Sequence, residues 1–203
     1  APTLTLTLMI LAYFISKIST VVGSIVWIIA IVAHFCFFLT FAYQRIKTSQ
    51  CFHSHILPSW FVPTTGMIVA CITQPSPVFR PLSEVIFIFG TVCYIILMPL
   101  VLYRLCLGIP LKEGHKATLA LLTTPSNLIL AGALVLYPHT NPLFAVGLFG
   151  ISCLTSLSVY VMLVTLLRMP FTPAYAAFTF PLAVAAEATL RFSHWVLQFK
   201  PLA

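Results

Sequence analysis

Polar and apolar positions along the chain are sorted into long uninterrupted blocks. Residues 18–44, 85–103 and 117–167 carry no Asp, Glu, Lys or Arg, and the last block is broken only by Tyr137-Pro138-His139-Thr140-Asn141-Pro142. The blocks are apolar all round, with neither the alternation of a half-buried strand nor the single stripe of a surface helix. About 20 apolar residues in helix cross a bilayer, whereas barrel strands would alternate polar and apolar over about ten. The pattern predicts seven helices, at 3–18, 20–45, 58–74, 82–107, 116–136, 142–168 and 172–192. Pro58 opens the third and Gln74-Pro75-Ser76-Pro77 closes it. Gly108-Ile109-Pro110 stops the fourth, Pro138 the fifth and Met169-Pro170 the sixth, and Pro173 falls near the first turn of the seventh.

The helices alternate in kind. The second, fourth and sixth are long and mostly uninterrupted, with Pro99 inside the fourth. The third, fifth and seventh each carry a proline beside hydroxyl residues: Pro63-Thr64-Thr65-Gly66, Thr123-Thr124-Pro125-Ser126-Asn127 and Thr179-Phe180-Pro181. These prolines recur at intervals of about 60 residues, which reads as a repeated hairpin of one broken and one continuous helix. A proline inside a helix has no N–H and crowds the carbonyl four residues back. By that rule Pro63 frees the carbonyl of Ser59, Pro125 that of Leu121 and Pro181 that of Ala177. An unpaired carbonyl is tolerated against protein or a water-filled cavity and not against lipid, so interruptions in corresponding segments point to a permeation path. Thr64, Thr65, Thr123, Thr124, Ser126, Asn127 and Thr179 can hydrogen-bond a partly dehydrated solute without holding it by a full charge. The same hydroxyls can instead satisfy their own helix backbone.

Composition sets the solvent. Hydrophobic residues make up 61% of the chain and charged residues 6%, against about 25% charged in an ordinary soluble domain. Mean hydropathy is +1.09. The formal net charge of +7 would suggest nucleic acid in a soluble protein. Here Lys and Arg sit at span ends, which assigns them to topology and to anionic lipid headgroups, with no nucleic-acid partner. Arg45, Lys47, Arg104, Lys112, Lys116 and Arg168 follow the second, fourth and sixth helices, and Lys17, Arg80, Arg191 and Lys200 lie on the other side, so the first group is placed in the cytoplasm. The six cysteines form no CxxC and lie mostly within apolar spans, as free thiols do. No basic stretch precedes the first apolar run, so it is not read as a signal peptide, and both ends read as cuts.

Candidate chemistry is sparse. Glu187 and Arg191 form an i, i+4 pair that neutralises itself near the interface or leaves Arg191 as an anion-attracting charge at the outer mouth. His53-Ser54-His55 has no carboxylate or thiol set beside it, and no metal site is assigned. His34 reads as a satisfied interhelical group, since its candidate partners for haem ligation, His115, His139 and His194, sit at span ends. There is no Asp, no phosphate loop, no nucleophile elbow and no HExxH.

Leu57-Pro58-Ser59-Trp60-Phe61-Val62-Pro63-Thr64-Thr65-Gly66-Met67-Ile68-Val69-Ala70 resembles the tellurite-resistance/dicarboxylate transporter family. That family holds bacterial tellurite-resistance permeases, fungal malate and sulfite transporters and the plant slow-type guard-cell anion channel. Leu97-Met98-Pro99-Leu100-Val101-Leu102-Tyr103-Arg104-Leu105, Ala117–Ala131, and Ala176-Ala177-Phe178-Thr179-Phe180-Pro181-Leu182-Ala183 with Ala188-Thr189-Leu190 are similar to it in the same order. The resemblance implies an all-α integral membrane fold of ten helices in five hairpins, with quasi-fivefold symmetry. Odd helices form an inner ring around a pore and even ones an outer ring, and the protein is a homotrimer. The broken helices here correspond to inner helices five, seven and nine. Residues 1–203 then form one transmembrane domain, a fragment covering family helices three to nine. The resemblance makes Phe180 the gate of the pore, since its position matches the occluding phenylalanine of the ninth helix. Glu187 departs from the small or hydroxyl residue expected at its position.

The function expected on this basis is passage of small anions such as malate, sulfite, tellurite, nitrate or chloride across the plasma (inner) membrane, without cofactor and without catalysis. The alternatives are a non-transporting structural or haem-binding membrane subunit, which a Soret band would reveal, and a membrane enzyme using His53, His55 and Glu113.

Overall fold

In an apolar solvent the backbone has no partner but itself, and helix is the local solution. A computed structural model of the chain describes residues 2–48, 56–107, 113–166 and 177–198. Among the described residues every regular element is helical, and six of the seven predicted segments stand within a few residues of where the hydrophobic blocks predict them. They divide into two compact units, Ala1–Pro110 and Leu111–Ala203.

In the first unit α1 (Pro2–Ser16) and α2 (Thr20–Lys47) form a hairpin. Ser19 caps α2 by accepting the Val22 N–H at 3.5 Å, and Arg45 and Lys47 sit in its last turn, where cations meet the negative end of the helix dipole. The third segment runs through two 3-10 turns, Pro58–Phe61 and Thr65–Ile68, into a short α3 (Val69–Ile72). After the 3-10 turn Pro77–Phe79, α4 (Arg80–Cys106) passes through Pro99 as one element. The second unit opens with the 3-10 helix Glu113–Leu122, followed by α5 (Thr124–Leu136), α6 (Pro142–Leu166) and α7 (Thr179–Leu197). At about 2.0 Å and 1.5 Å rise per residue, the 3-10 piece and α5 together extend about 40 Å, enough to cross a hydrocarbon core of about 30 Å.

The two kinds of helix differ in what they face. α2, α4 with its 3-10 turn, Ala117–Leu136 and α6 are each long and apolar enough to cross a membrane. In their most apolar stretches 22%, 22%, 83% and 11% of the residues are buried, in that order. The continuous helices therefore expose Val, Ile, Leu and Phe, as a lipid-facing helix does, while the broken fifth segment is enclosed within its unit. The third segment behaves like the fifth: from Pro58 to Ile72 every residue but Ser59 and Ile72 is buried.

Three sequence expectations need correction. Pro63 does not free the Ser59 carbonyl, which accepts the Val62 N–H at 3.2 Å, because a 3-10 turn pairs i with i+3. Pro125 and Pro181 do not interrupt α-helices but stand in the first turns of α5 and α7, where a missing N–H breaks no ladder bond. The seventh helix extends to Leu197, beyond the expected end at 192, with residues 177–178 in 3-10 form before its α-helical start at Thr179, and its last turn is held by the buried Trp195, whose Nε1–H donates to the Pro138 carbonyl at 2.9 Å. The stops at Gly108-Ile109-Pro110 and Met169-Pro170, the opening at Pro173, and His53 and His55 lie outside the described residues, as does the Glu113 side chain.

The α1–α2 hairpin is closed by Gly23. A Cβ there would stand 2.5 Å from Ser16 Cβ and 2.6 Å from Ser16 Cα, so backbone would have to move. Gly23→Ala is expected to lower stability by about 1–3 kcal/mol through this overpacking. Thermal unfolding in detergent reads the loss, and an unchanged midpoint would show that the helices can separate freely.

Candidate functional site

In the second unit the proline motif of the fifth segment builds a polar cluster. Thr123, Thr124, Ser126 and Asn127 lie at the junction of the 3-10 helix and α5, all buried, and α5 packs against both α6 and α7. The Asn127 side-chain amide donates to the Thr123 carbonyl at 2.8 Å, to Thr123 Oγ1 at 2.8 Å and to Ser156 Oγ at 3.1 Å. Thr123 Oγ1 pairs with Ser156 Oγ at 2.7 Å, and Ser126 Oγ with Thr155 Oγ1 at 2.8 Å. Satisfied networks of this kind fix one packing of facing helices in an apolar medium.

The α6 half of this cluster, Ser152, Thr155 and Ser156, was not anticipated from the proline motifs. Its signal is present in the sequence, because i, i+3 and i+4 hydroxyls share one helix face inside an otherwise apolar run. A cavity of about 680 Å³ lies beside the cluster, lined on its polar side by Asn127, Ser152, Ser156 and Thr189 and elsewhere by residues such as Phe149, Leu157 and Tyr160. Ser152 is buried there and its hydroxyl has no hydrogen-bond partner among the described residues; the Thr124 hydroxyl is in the same condition. Buried hydroxyls without partners cost about 1–3 kcal/mol each, so a cluster of them marks either strain or use.

α7 begins with the other motif. Thr179 is exposed, Phe180 half-buried and Pro181 buried in its first turn. The neighbouring Phe178 is different: it is 6% exposed and packs with Ala117, Ala120 and Val159 in an apolar cluster. Along α7, Phe180, Ala183, Glu187, Arg191 and His194 recur at i, i+3, i+7, i+11 and i+14, which is one face of a helix. Arg191 donates from Nε to Glu187 Oε1 at 2.6 Å, and the side chains are 33% and 44% exposed. α7 is tied to α6 by Phe149, whose ring stacks on Phe192 at 4.0 Å, and Phe192 in turn stacks on Trp195 at 5.8 Å.

In the first unit Pro63, Thr64 and Thr65 are all buried between the two 3-10 turns of the third segment. Thr64 donates to the Trp60 carbonyl at 2.8 Å and so serves its own backbone. Thr65 Oγ1 is buried without a hydrogen-bond partner among the described residues. His34 pairs through Nδ1 with Thr5 Oγ1 at 2.7 Å, an interhelical contact as expected, but it is only half satisfied, since its buried Nε2 has no hydrogen-bond partner among the described residues. Gly90 on α4 makes room for Ile68, where a Cβ would come within 2.5 Å of Ile68 Cγ1.

Long apolar helices that expose their side chains, together with third and fifth segments that bury hydroxyls, define an all-α integral membrane protein. The sequence model of the voltage-dependent anion channel family matches residues 1–201, and the chain belongs to this family. It is also similar to two proteins of Methanocaldococcus jannaschii. One is the uncharacterized transporter MJ0762, at 26% identity over 93% of this chain and 62% of that protein. The other is the uncharacterized transporter MJ0576, at 26% identity over 79% of this chain and 52% of that protein. The chain thus spans between half and two thirds of the length of these relatives.

Proposed function

We propose that the chain is the main part of a channel or transporter that lets small anions cross the plasma (inner) membrane, through a lumen lined by its broken segments. The observation that carries this reading is the contrast between the enclosed third and fifth segments, with their buried hydroxyls, and the continuous helices with exposed apolar faces. Family membership and the transporter names of the relatives support transport of anions in general. In this reading residues 1–203 form one transmembrane domain, and Pro63, Thr64, Thr65, Thr123, Thr124, Pro125, Ser126, Asn127, Thr179 and Pro181 line the path. Phe180 closes it and the assembly is a homotrimer. Neutral donors suit the task, since a conducting site must replace part of an anion's hydration without holding the ion. The substrate class is a small anion, from chloride or nitrate to sulfite, tellurite and C4-dicarboxylates such as malate.

The test is anion flux in proteoliposomes carrying the full-length protein, measured across that panel. Flux of none of them, in wild type and in Phe180→Ala alike, would overturn the reading.

Arg191 supplies a second test. As an attracting charge about 16 Å along α7 from Phe180, it raises the local anion concentration, an effect that salt screens. Arg191→Gln is expected to lower anion flux several-fold at low ionic strength, and Glu187→Gln to raise it. Both differences should vanish at 1 M salt, where the Debye length is about 3 Å. Thermal midpoints should stay near wild type, because a part-exposed i, i+4 pair contributes only about 0.3–0.5 kcal/mol. Shifts of flux in the same direction for both variants would show that charge is not their mode of action.

A further inference from the structure

The half-satisfied imidazole of His34 stands in the middle of α2, where three segments of the first unit meet. α1 packs along α2 and also meets α3, and α2 reaches the second 3-10 turn, Thr65–Ile68. Thr5, the partner of His34, is buried with it. Leu6, beside Thr5, packs on that turn: a Cβ at Gly66 would be 3.4 Å from Leu6 Cδ1. The bonding fixes the neutral form of the ring. Thr5 Oγ1 donates its hydrogen to the Pro2 carbonyl at 2.6 Å, so toward His34 it accepts, and Nδ1 carries the proton. Nε2 is then a buried lone pair with no hydrogen-bond partner among the described residues. The ligand such a nitrogen takes is a proton, and histidine is the side chain whose charge changes between about pH 5 and about pH 8. An ionisable group within a span is a functional site by default.

A second proton changes what the junction must hold. The ring then carries a charge and two donors, while Thr5 supplies one acceptor, and among the described residues neither ring nitrogen meets a carboxylate. The other titratable groups of the surrounding elements are engaged or distant. On α1, Tyr13 and Lys17 meet each other at 4.8 Å, Lys17 being about 18 Å along the helix from Thr5. On α2, Cys36 and Tyr43 are exposed, and Arg45 and Lys47 lie in the last turn, about 16 Å and about 20 Å from His34. In the third segment Cys71 Sγ donates to the Ser83 carbonyl at 3.1 Å. On α4, Arg80 pairs with Glu84 at one end and Arg104 donates to the Ile56 carbonyl at the other. Between them Tyr94 packs its ring on Phe61 at 6.4 Å, and Cys93 lines the cleft that α4 forms with α2. A charge buried without a partner is strongly disfavoured, and admitting water relieves it. The third segment yields most easily. α1 and α2 are continuous helices in close contact at Ser16 and Gly23, whereas the third consists of two four-residue 3-10 turns and a four-residue α-helix. Hydrogen-bond geometry in 3-10 turns is poorer, and short elements open first.

We propose that His34 is an acid switch: a proton on Nε2 loosens the third segment from α1 and α2. Under the channel reading above, on which this consequence alone rests, the loosened segment widens the path past Thr64 and Thr65, and acid raises anion flux.

The test uses the full-length protein in nanodiscs. Cys71 is buried in α3 and reports the movement, and Cys106, exposed at the end of α4, is the internal reference. Both are labelled with dithiodipyridine and counted by peptide mass spectrometry, so the ratio of the two cancels the reagent's own pH dependence. From about pH 8 to about pH 5 the Cys71-to-Cys106 ratio of wild type is expected to rise about fivefold or more, the lower end of typical coupling between two sites. His34→Asn places an N–H where Nδ1–H stands and takes up no proton, so its ratio should stay flat. His34→Gln serves in its place if the asparagine variant does not fold. Chloride flux in proteoliposomes should follow the same pattern, and chloride keeps its charge over this range. A flat ratio in wild type overturns the proposal whatever the variants do, as does an undiminished response in either folded variant. Flux that rises with acid while Cys71 does not respond also overturns it, since the acid then acts elsewhere. A Cys71 response that the variants lose, without flux of any anion at either pH, supports the switch and counts against the transport reading alone.

Discussion

Replacing Phe180 with alanine is expected to raise anion flux tenfold or more, while replacing Phe178, two residues away, damages the fold and leaves conduction per folded molecule unchanged. The contrast follows from where the two rings sit. Phe178 is enclosed by Ala117, Ala120 and Val159, with Met162, Leu163 and Leu182 around them. Deleting a phenyl ring from such a cluster leaves a cavity and costs about 3–5 kcal/mol. Phe180 is half-buried in the first turn of α7, on the same face as Ala183, Glu187 and Arg191, so its loss removes little packing. In the proposed reading Phe180 closes a narrow apolar passage; such a ring excludes the water an anion needs, and its removal lets the passage hydrate. Lowering such a barrier by about 1.4 kcal/mol already gives a factor of ten. Flux in proteoliposomes, normalised to folded protein, and melting in detergent separate the two effects. If Phe178→Ala raised flux and Phe180→Ala did not, the gate would belong to the other ring. If neither changed flux, no phenylalanine at this turn closes the path.

Hydrophobic blocks fix helix number because span length leaves little choice, and six of the seven segments appear within a few residues of where 20–45, 82–107, 142–168 and their neighbours place them. The enclosure of the third and fifth segments was also legible, through their prolines, whereas the seventh carries the same motif and is largely exposed. What the prolines do locally was not. A proline preceded by hydroxyl residues reads as an internal break, but the same residues serve at the start of an α-helix, and only the backbone upstream distinguishes the two. At Pro125 and Pro181 that backbone is 3-10, whose geometry sequence periodicity does not separate from α over a few residues. The seventh helix was ended too early, at 192, although Trp195 beyond that point is buried against the α5–α6 turn. The α6 hydroxyls escaped notice because an unbroken helix drew no attention, although their spacing put them on one face.

Those hydroxyls make Asn127 the most exacting position of the second unit. Its amide holds the Thr123 carbonyl, Thr123 Oγ1 and Ser156 Oγ, and so joins the start of α5 to α6. Asn127→Leu keeps the size and removes the donors. The backbone N–H of residue 127 still reaches the Thr123 carbonyl, but at 3.4 Å, so a loss of about 1–3 kcal/mol is expected from under-satisfied buried oxygens. Asn127→Asp keeps the shape almost unchanged and turns a donor toward three oxygens into a charged acceptor. Burying that charge without a cation costs more than the lost hydrogen bonds, so stability should fall in the order wild type, Asn127→Leu, Asn127→Asp. The two variants separate structure from conduction. If the cavity beside Asn127 belongs to the anion path, folded Asn127→Leu should pass anions with a weaker apparent affinity, because one neutral donor is gone. A fixed negative charge at the same place should cut flux at least tenfold, since about 1.4 kcal/mol of repulsion suffices. Wild-type flux through folded Asn127→Asp would remove this cluster from the path and leave it as the polar clasp of α5 on α6. The anion route would then have to run along the face of α7 that carries Phe180 and Arg191, away from the α6 hydroxyls.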